Sequence, residues 1–223
     1  MEKKIALSTY YYKYLKYKKK YLEIGNLENS NIFAKKEGID YDKLILTDEG
    51  KYSITKRKDG ERLLEIIKKE IKTTKDKIIT DLTGCVGGDT ILFGLNFRKV
   101  YSIEYNDNNY RALENNVKVY NLDNVRLYHG DSTKIYNWNT DVLYLDPPWG
   151  GINYKENDRI DLYLGDIRVD IFLREILQRE TRPKYIFIKL PRNYNFSRLY
   201  KFKNMYKKIR NYRIRGYNII FIK

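Results

Sequence analysis

At 223 residues the chain has room for one catalytic domain of ordinary size with a small appendage, and not for two full domains. Lys and Arg number 44 against 29 Asp and Glu, a formal net charge of +15, and a surface so basic suits a polyanionic partner, most often nucleic acid. One cysteine (Cys85) and one histidine (His129) exclude an internal disulfide framework and a Cys/His zinc centre, and no run of about 18 apolar residues is present to form a membrane-spanning helix.

The N-terminus carries Lys3 and Lys4 but no apolar signal core, so an intracellular protein is expected, with nucleus or cytoplasm left open. The abundance of Lys, Asn, Ile and Tyr corresponds to AT-rich codons, as in a large DNA virus or a protist.

Tyr10, Tyr14, Tyr17 and Tyr21 recur at helical spacing with lysines between them, which predicts an amphipathic helix whose tyrosine stripe packs on the main domain. Its lysines are free to serve RNA electrostatics. The polar run 26–31 reads as a loop. A helix is expected after Asp59, its candidate N-cap, with Leu63, Ile67 and Ile71 on one face.

From Lys77 the pattern changes to alternating strands and helices. Strands are expected at 77–83, 99–105, 125–131, 142–146 and 185–190. Helices are expected from near Asp89, through Tyr110–Tyr120 and around Ile171–Leu177. Two β-rich pieces near 207–212 and 217–222, joined at Gly216, predict a closing hairpin. The fold class expected is α/β: a Rossmann-like, mostly parallel sheet with helices on both faces and a C-terminal antiparallel hairpin. The division expected is an N-terminal helical extension, 1–58, covering the substrate and cofactor site, and a catalytic domain, 59–223.

Asp81-Leu82-Thr83-Gly84-Cys85-Val86-Gly87-Gly88 carries a strand into a glycine turn that opens a helix. Glycines there let the backbone approach a ligand, at the place where open α/β sheets hold cofactors. The turn is neither a dinucleotide fingerprint nor a phosphate-binding P-loop. Glu104 ends the next strand about 20 residues on, where an acid accepts ribose hydroxyls. Asp131 and Ser132, after the third strand, suit an adenine amino group.

Asp146-Pro147-Pro148-Trp149-Gly150-Gly151 follows an apolar strand. Its prolines stiffen an extended loop that lacks N–H donors, so backbone carbonyls and Asp146 are left to accept hydrogen bonds from a substrate amine. Trp149 offers a stacking face for a base. The alternative for this run is a structural turn with a buried Trp.

These sites in this order resemble class I S-adenosylmethionine methyltransferases acting on exocyclic amines. DLTGCVGGDT is similar to the glycine motif of the trimethylguanosine synthase family. DPPWGG resembles that family's SPPWGG loop, with Tyr154 at the family's spacing. Leu190-Pro191-Arg192-Asn193 matches its LPRN segment, and Glu49–Thr55 (EGKYSIT) resembles its EGWFSVT segment.

The resemblance runs from about Phe33 to the C-terminus. It implies methyl transfer to N2 of a 7-methylguanosine RNA cap, with S-adenosylmethionine as cofactor and no metal. It implies cofactor contacts from Thr55, Asp81, Thr83, Gly84, Cys85, Gly87, Glu104, Asp131, Ser132 and Asp146. Asp146, Pro147 and Trp149 would carry the reaction, and Tyr154, Arg192 and Asn193 would complete the cap site, with Arg192 on the cap phosphates. The expected partner is capped RNA, with no membrane association and a monomeric enzyme.

Asp146 stands where the family has Ser, which also likens the loop to those of adenine-N6 and rRNA guanine-N2 methyltransferases. Lys51 replaces the family's Trp, and Lys56-Arg57 its Pro-Glu. The competing expectations are methylation of an internal base and a non-catalytic RNA-binding module.

Overall fold

A computed structural model of the protein describes residues 29–151 and 153–223. The expected tyrosine-rich helix lies outside the described residues.

The central sheet begins with β1 (Ile78–Asp81), β2 (Lys99–Glu104), β3 (Val125–His129) and β4 (Val142–Leu145). A short β5–β6 hairpin (Tyr163–Leu164 and Ile167–Arg168) stands apart, and β7 (Tyr185–Pro191), β8 (Ile209–Ile214) and β9 (Tyr217–Ile222) complete the set. The large sheet has the order β3-β2-β1-β4-β7-β9-β8. Pairings among β3, β2, β1, β4 and β7 are parallel, and β9 is antiparallel to both β7 and β8. This is the expected Rossmann-like sheet with its antiparallel edge. The β5–β6 pair was not foreseen, because two-residue strands carry no legible alternation.

Strand alternation divides the core into two layers. On β4, Val142 and Tyr144 face the layer with Leu63, Ile67 and Phe93, while Leu143 and Leu145 face the layer with Phe172, Leu173 and Ile176. Side chains of successive strand residues point to opposite faces, so a fully apolar strand needs helices on both sides. Helices α1 (Arg57–Ile71), α2 (Gly88–Asn96) and α3 (Asp107–Val119) supply one side and α4 (Val169–Gln178) the other.

Three local expectations are corrected. Helix α1 begins two residues before Asp59: Lys56, in extended backbone, is the N-cap, and Asp59 lies in the first turn. An acid there still meets the positive end of the helix dipole, so it read as a cap in sequence. Residues 29–32 form a helical turn rather than loop, because the Asn29 amide donates to the carbonyls of Tyr41 and Leu44, at 3.0 Å each. Helix α3 starts at Asp107, capped by Asn106, whose side chain accepts the Asn109 N–H.

Between residues 29 and 56 the described helices are single turns. Ile32, Phe33, Leu44 and Ile54 are buried in the same core layer as α1. Asn116, fully buried on α3, accepts the Ile45 N–H at 2.7 Å and donates to the carbonyls of Ile45 and Val86 at 2.8 Å each. One amide therefore ties the N-terminal segment to the glycine turn.

Candidate active site

Asp81 ends β1, Glu104 ends β2, and Asp131 and Asp146 lie just past the ends of β3 and β4. Four carboxylates thus lie along the C-terminal edge of four adjacent parallel strands. The strand order reverses between β1 and β4, and the crevice at such a reversal is where open α/β sheets bind ligands.

The glycine turn is packed tightly from behind. A Cβ on Gly84 would stand 2.5 Å from Ser102 Oγ, and one on Gly88 2.6 Å from Ile54 Cγ1. Gly87 has φ +99°, a conformation that side chains disfavour. Cys85 adopts φ 47° without being glycine; its N–H donates to Glu104 Oε2 at 2.7 Å. The other Glu104 oxygen accepts the Asn106 N–H at 2.7 Å. Each carboxylate oxygen keeps a further lone pair for a ligand hydroxyl. Burial raises the Glu104 pKa, against the pull of the Asn106 and Cys85 N–H groups.

Asp81 is completely buried and accepts the Thr90 hydroxyl at 2.7 Å and the Thr83 N–H at 3.2 Å. Burial lifts its pKa to about 7. Thr83 Oγ1 accepts the Asp146 N–H at 2.9 Å, joining the glycine turn to the proline loop. Asp131 is committed locally: its Oδ1 accepts the N–H and hydroxyl of Thr133 at 2.9 and 2.7 Å, and its Oδ2 lies 3.4 Å from Lys134. Ser132 is buried in the turn that Asp131 caps.

At the proline loop a buried polar chain appears that the sequence reading missed. Lys189 on β7, its side chain 6% exposed, places Nζ 2.6 Å from Asp146 Oδ2 and 2.8 Å from Thr55 Oγ1. Thr55 in turn donates to Asp89 Oδ2 at 2.7 Å, and Tyr144 donates to the same oxygen at 2.9 Å. Burial raises the Asp146 pKa to about 6, although the neighbouring Lys189 draws it down. Asp89 Oδ1 is buried with no hydrogen-bond partner among the described residues.

Trp149 is half-buried. Its ring meets Tyr154 edge-on at 5.1 Å and lies 6.2 Å from Tyr217. The indole N–H lies near enough to Asp146 to favour its ionised form, but outside hydrogen-bond geometry, and it has no other partner among the described residues. Pro147 is buried and Arg192 exposed. The Asn193 amide donates to the carbonyls of Tyr154 and Asn157 at 2.7 and 2.8 Å, while its Oδ1 is buried with no hydrogen-bond partner among the described residues. It therefore secures the loop that carries Tyr154.

The sheet edge brings together Thr55, Asp81, Thr83, Glu104, Asp146 and Trp149. Asp131, Arg192 and Asn193 are held by local packing or face solvent. An acidic, partly unsatisfied sheet edge of this kind fits a cationic sulfonium cofactor bearing a ribose, and a basic exterior fits phosphates. Among the described residues no group of three or more His, Cys, Asp or Glu is placed to hold a metal ion, and no helix is long and apolar enough to cross a membrane.

The family model for RNA cap guanine-N2 methyltransferases matches residues 76–220. The chain belongs to the RNA cap guanine-N2 methyltransferase family. Its mostly parallel sheet has the Rossmann-like fold of methyltransferases of known structure. An uncharacterised protein of Acanthamoeba polyphaga mimivirus is 31% identical over 126 residues, 55% of this chain and 49% of that one. Trimethylguanosine synthase of Saccharomyces cerevisiae is 26% identical over 175 residues, 72% of this chain and 52% of that one. The chain spans about half the length of these curated relatives.

Among solved structures, the T. thermophilus 16S rRNA guanine-N2 methyltransferase, in complex with S-adenosylmethionine and guanosine, has a TM-score of 0.58 at 15% identity, covering 74% of this chain and 42% of that one. A precorrin-6y methyltransferase from Geobacter metallireducens has a TM-score of 0.57 at 14% identity, covering 83% and 96%. At such identities the likeness is one of fold.

Proposed function

We propose that the protein transfers methyl from S-adenosylmethionine to the N2 amino group of guanine in a 7-methylguanosine RNA cap. The observation that carries this reading is the Asp146–Trp149 loop. It sets a half-buried carboxylate beside a half-buried indole, hydrogen-bonded to the glycine turn, in a chain of the cap guanine-N2 family.

When bound, the cofactor supplies an electrophilic methyl group. Glu104 accepts its ribose hydroxyls with the lone pairs that Cys85 and Asn106 leave open. Gly84 and Gly87 let the backbone turn beneath it, and Asp131 and Ser132 border the adenine side. Asp146, ionised near neutral pH, and Asp89 lend this edge the negative character a sulfonium favours.

Trp149 stacks on the guanine, with Tyr154 against its edge. N7-methylguanine is cationic, so the ring gains about 0.5–2 kcal/mol over plain stacking. Asp146 and the Pro147 carbonyl accept hydrogens from N2, turning its lone pair toward the methyl group. Proximity and alignment supply most of the acceleration. The amine loses its proton after transfer, and Asp146, ionised near neutral pH, is placed to accept it. Exposed Arg192 is available to the cap phosphates. The mimivirus relative supports an origin in a large DNA virus.

The test is methyl transfer to m7GDP against GDP, followed by mass spectrometry. Gain of methyl on m7GDP alone supports the cap reading and counts the methyls. Transfer to neither, with cofactor binding intact, defeats it and redirects the search to an internal base, which the Asp146 loop also suits.

A further inference from the structure

Lys189 interrupts an otherwise apolar strand, Tyr185-Ile186-Phe187-Ile188-Lys189-Leu190. β4 and β7 are parallel with Leu145 beside Ile188, so the next pair along the register is Asp146 beside Lys189. Alternation turns both side chains to the face that holds Tyr144 and Phe187. Buried ion pairs seldom stabilise more than an apolar pair of the same volume, so folding alone does not explain this lysine.

We propose that Lys189 is a positioning residue for methyl transfer, holding one oxygen of Asp146 so that the other faces the acceptor amine. This rests on the reading of Asp146 as the acceptor for the guanine amine. Two contacts immobilise Asp146: its N–H donates to Thr83 Oγ1 at 2.9 Å and its Oδ2 accepts from Lys189 at 2.6 Å. The ammonium is itself held, by Thr55 Oγ1 at 2.8 Å, by the Tyr217 ring at 5.1 Å and by the Trp149 ring at 5.6 Å. The same side chain thereby touches the carboxylate, the stacking ring and the N-terminal segment.

The electrostatics point the same way. Asp146 is faced by Asp81 from β1, by Cys85 in the glycine turn and by Asp89 from α2. Tyr144 faces it from β4, Tyr217 from β9 and Lys189 from β7. Lys189 is the cation in that set. Without it, burial and the neighbouring carboxylates favour a protonated Asp146, which keeps a weaker acceptor and no longer carries charge toward the amine.

The experiment compares wild type, Lys189→Met, Asp146→Asn and the double variant in m7GDP methylation across pH 5.5–9. In parallel the Asp146 carboxyl is titrated by carbon-13 NMR. Removing a cation at this distance is expected to move the acidic limb of kcat/KM, and the NMR midpoint, upward by about one to three pH units. Lys189→Met should recover toward wild type at high pH, and the double variant should be no slower than Asp146→Asn.

An equal loss at every pH, or a double variant slower than Asp146→Asn by the full Lys189→Met factor, would overturn the proposal. If wild type leaves m7GDP untouched, the cap reading fails. The NMR midpoint still decides the pair, and an unmoved midpoint overturns the proposal whatever the acceptor. Should Lys189→Met not fold, Thr55→Val removes one of the ammonium's anchors and is expected to shift both readouts upward by a smaller amount; no shift there counts against the proposal.

Discussion

Replacing Glu104 with Gln tests the cofactor site most directly, because the two carboxylate oxygens hold separate backbone N–H groups. Oε2 accepts from Cys85 and Oε1 from Asn106, each at 2.7 Å. A glutamine offers one oxygen, so its NH2 must face one of the two N–H donors. That loses a charge-assisted hydrogen bond and leaves a part-buried donor without its carboxylate partner, about 1–3 kcal/mol.

Cys85 is the more exposed to the loss. Its φ of 47° lies in the left-handed region, where a non-glycine residue costs about 1–2 kcal/mol, and the Glu104 bond holds it there. In a chain of 223 residues each kcal/mol lowers Tm by roughly 2–4 °C, so Glu104→Gln should melt roughly 2–12 °C lower. Losing one ribose hydrogen bond as well should weaken S-adenosylmethionine about tenfold, the equivalent of 1.4 kcal/mol. Differential scanning fluorimetry and titration calorimetry read the two effects. A variant with wild-type Tm and wild-type Kd would refute this account of both the turn and the ribose site.

Asp81 has a folded-state pKa lifted by burial from 3.8 to about 7, so the folded state binds a proton more tightly than the unfolded chain and stability should fall as pH rises from about 4 to about 7. Asp81→Asn should flatten that slope in urea denaturation series, and a slope equal to wild type would count against it. Gly84→Ala drives a Cβ to 2.5 Å from Ser102 Oγ and 2.8 Å from Leu113 Cδ2, which should cost about 1–3 kcal/mol, measurable by urea denaturation. Gly216→Ala meets nothing within 4 Å and serves as its near-neutral control. Trp149→Ala should weaken m7GDP binding tenfold or more, from the loss of about 1–3 kcal/mol of stacking, while cofactor affinity holds; unchanged m7GDP affinity removes Trp149 from the base site.

The sequence by itself determined the order of the seven strands of the large sheet and of the long helices among them, because strand and helix periods alternate clearly from Lys77 onward. It also placed Asp81, Glu104, Asp131 and Asp146 at or just beyond strand ends, since each follows an apolar run. It could not show how each is held: the hydrogen bonds of Asp131 go to Thr133 and those of the Asn193 amide to the Tyr154 loop, partners fixed by local geometry.

The Lys189–Asp146 pair was half legible. A lysine inside YIFIKL is a signal, since a charge at the centre of a buried strand needs a counter-charge. Finding that counter-charge required the β4–β7 register, which joins residues 43 apart in sequence. The Asn116 clamp on Ile45 and Val86 was hidden for the same reason. Periodicity reports which face a side chain takes, whereas partners across the sheet are set by packing between segments distant in the chain, which only the tertiary structure decides.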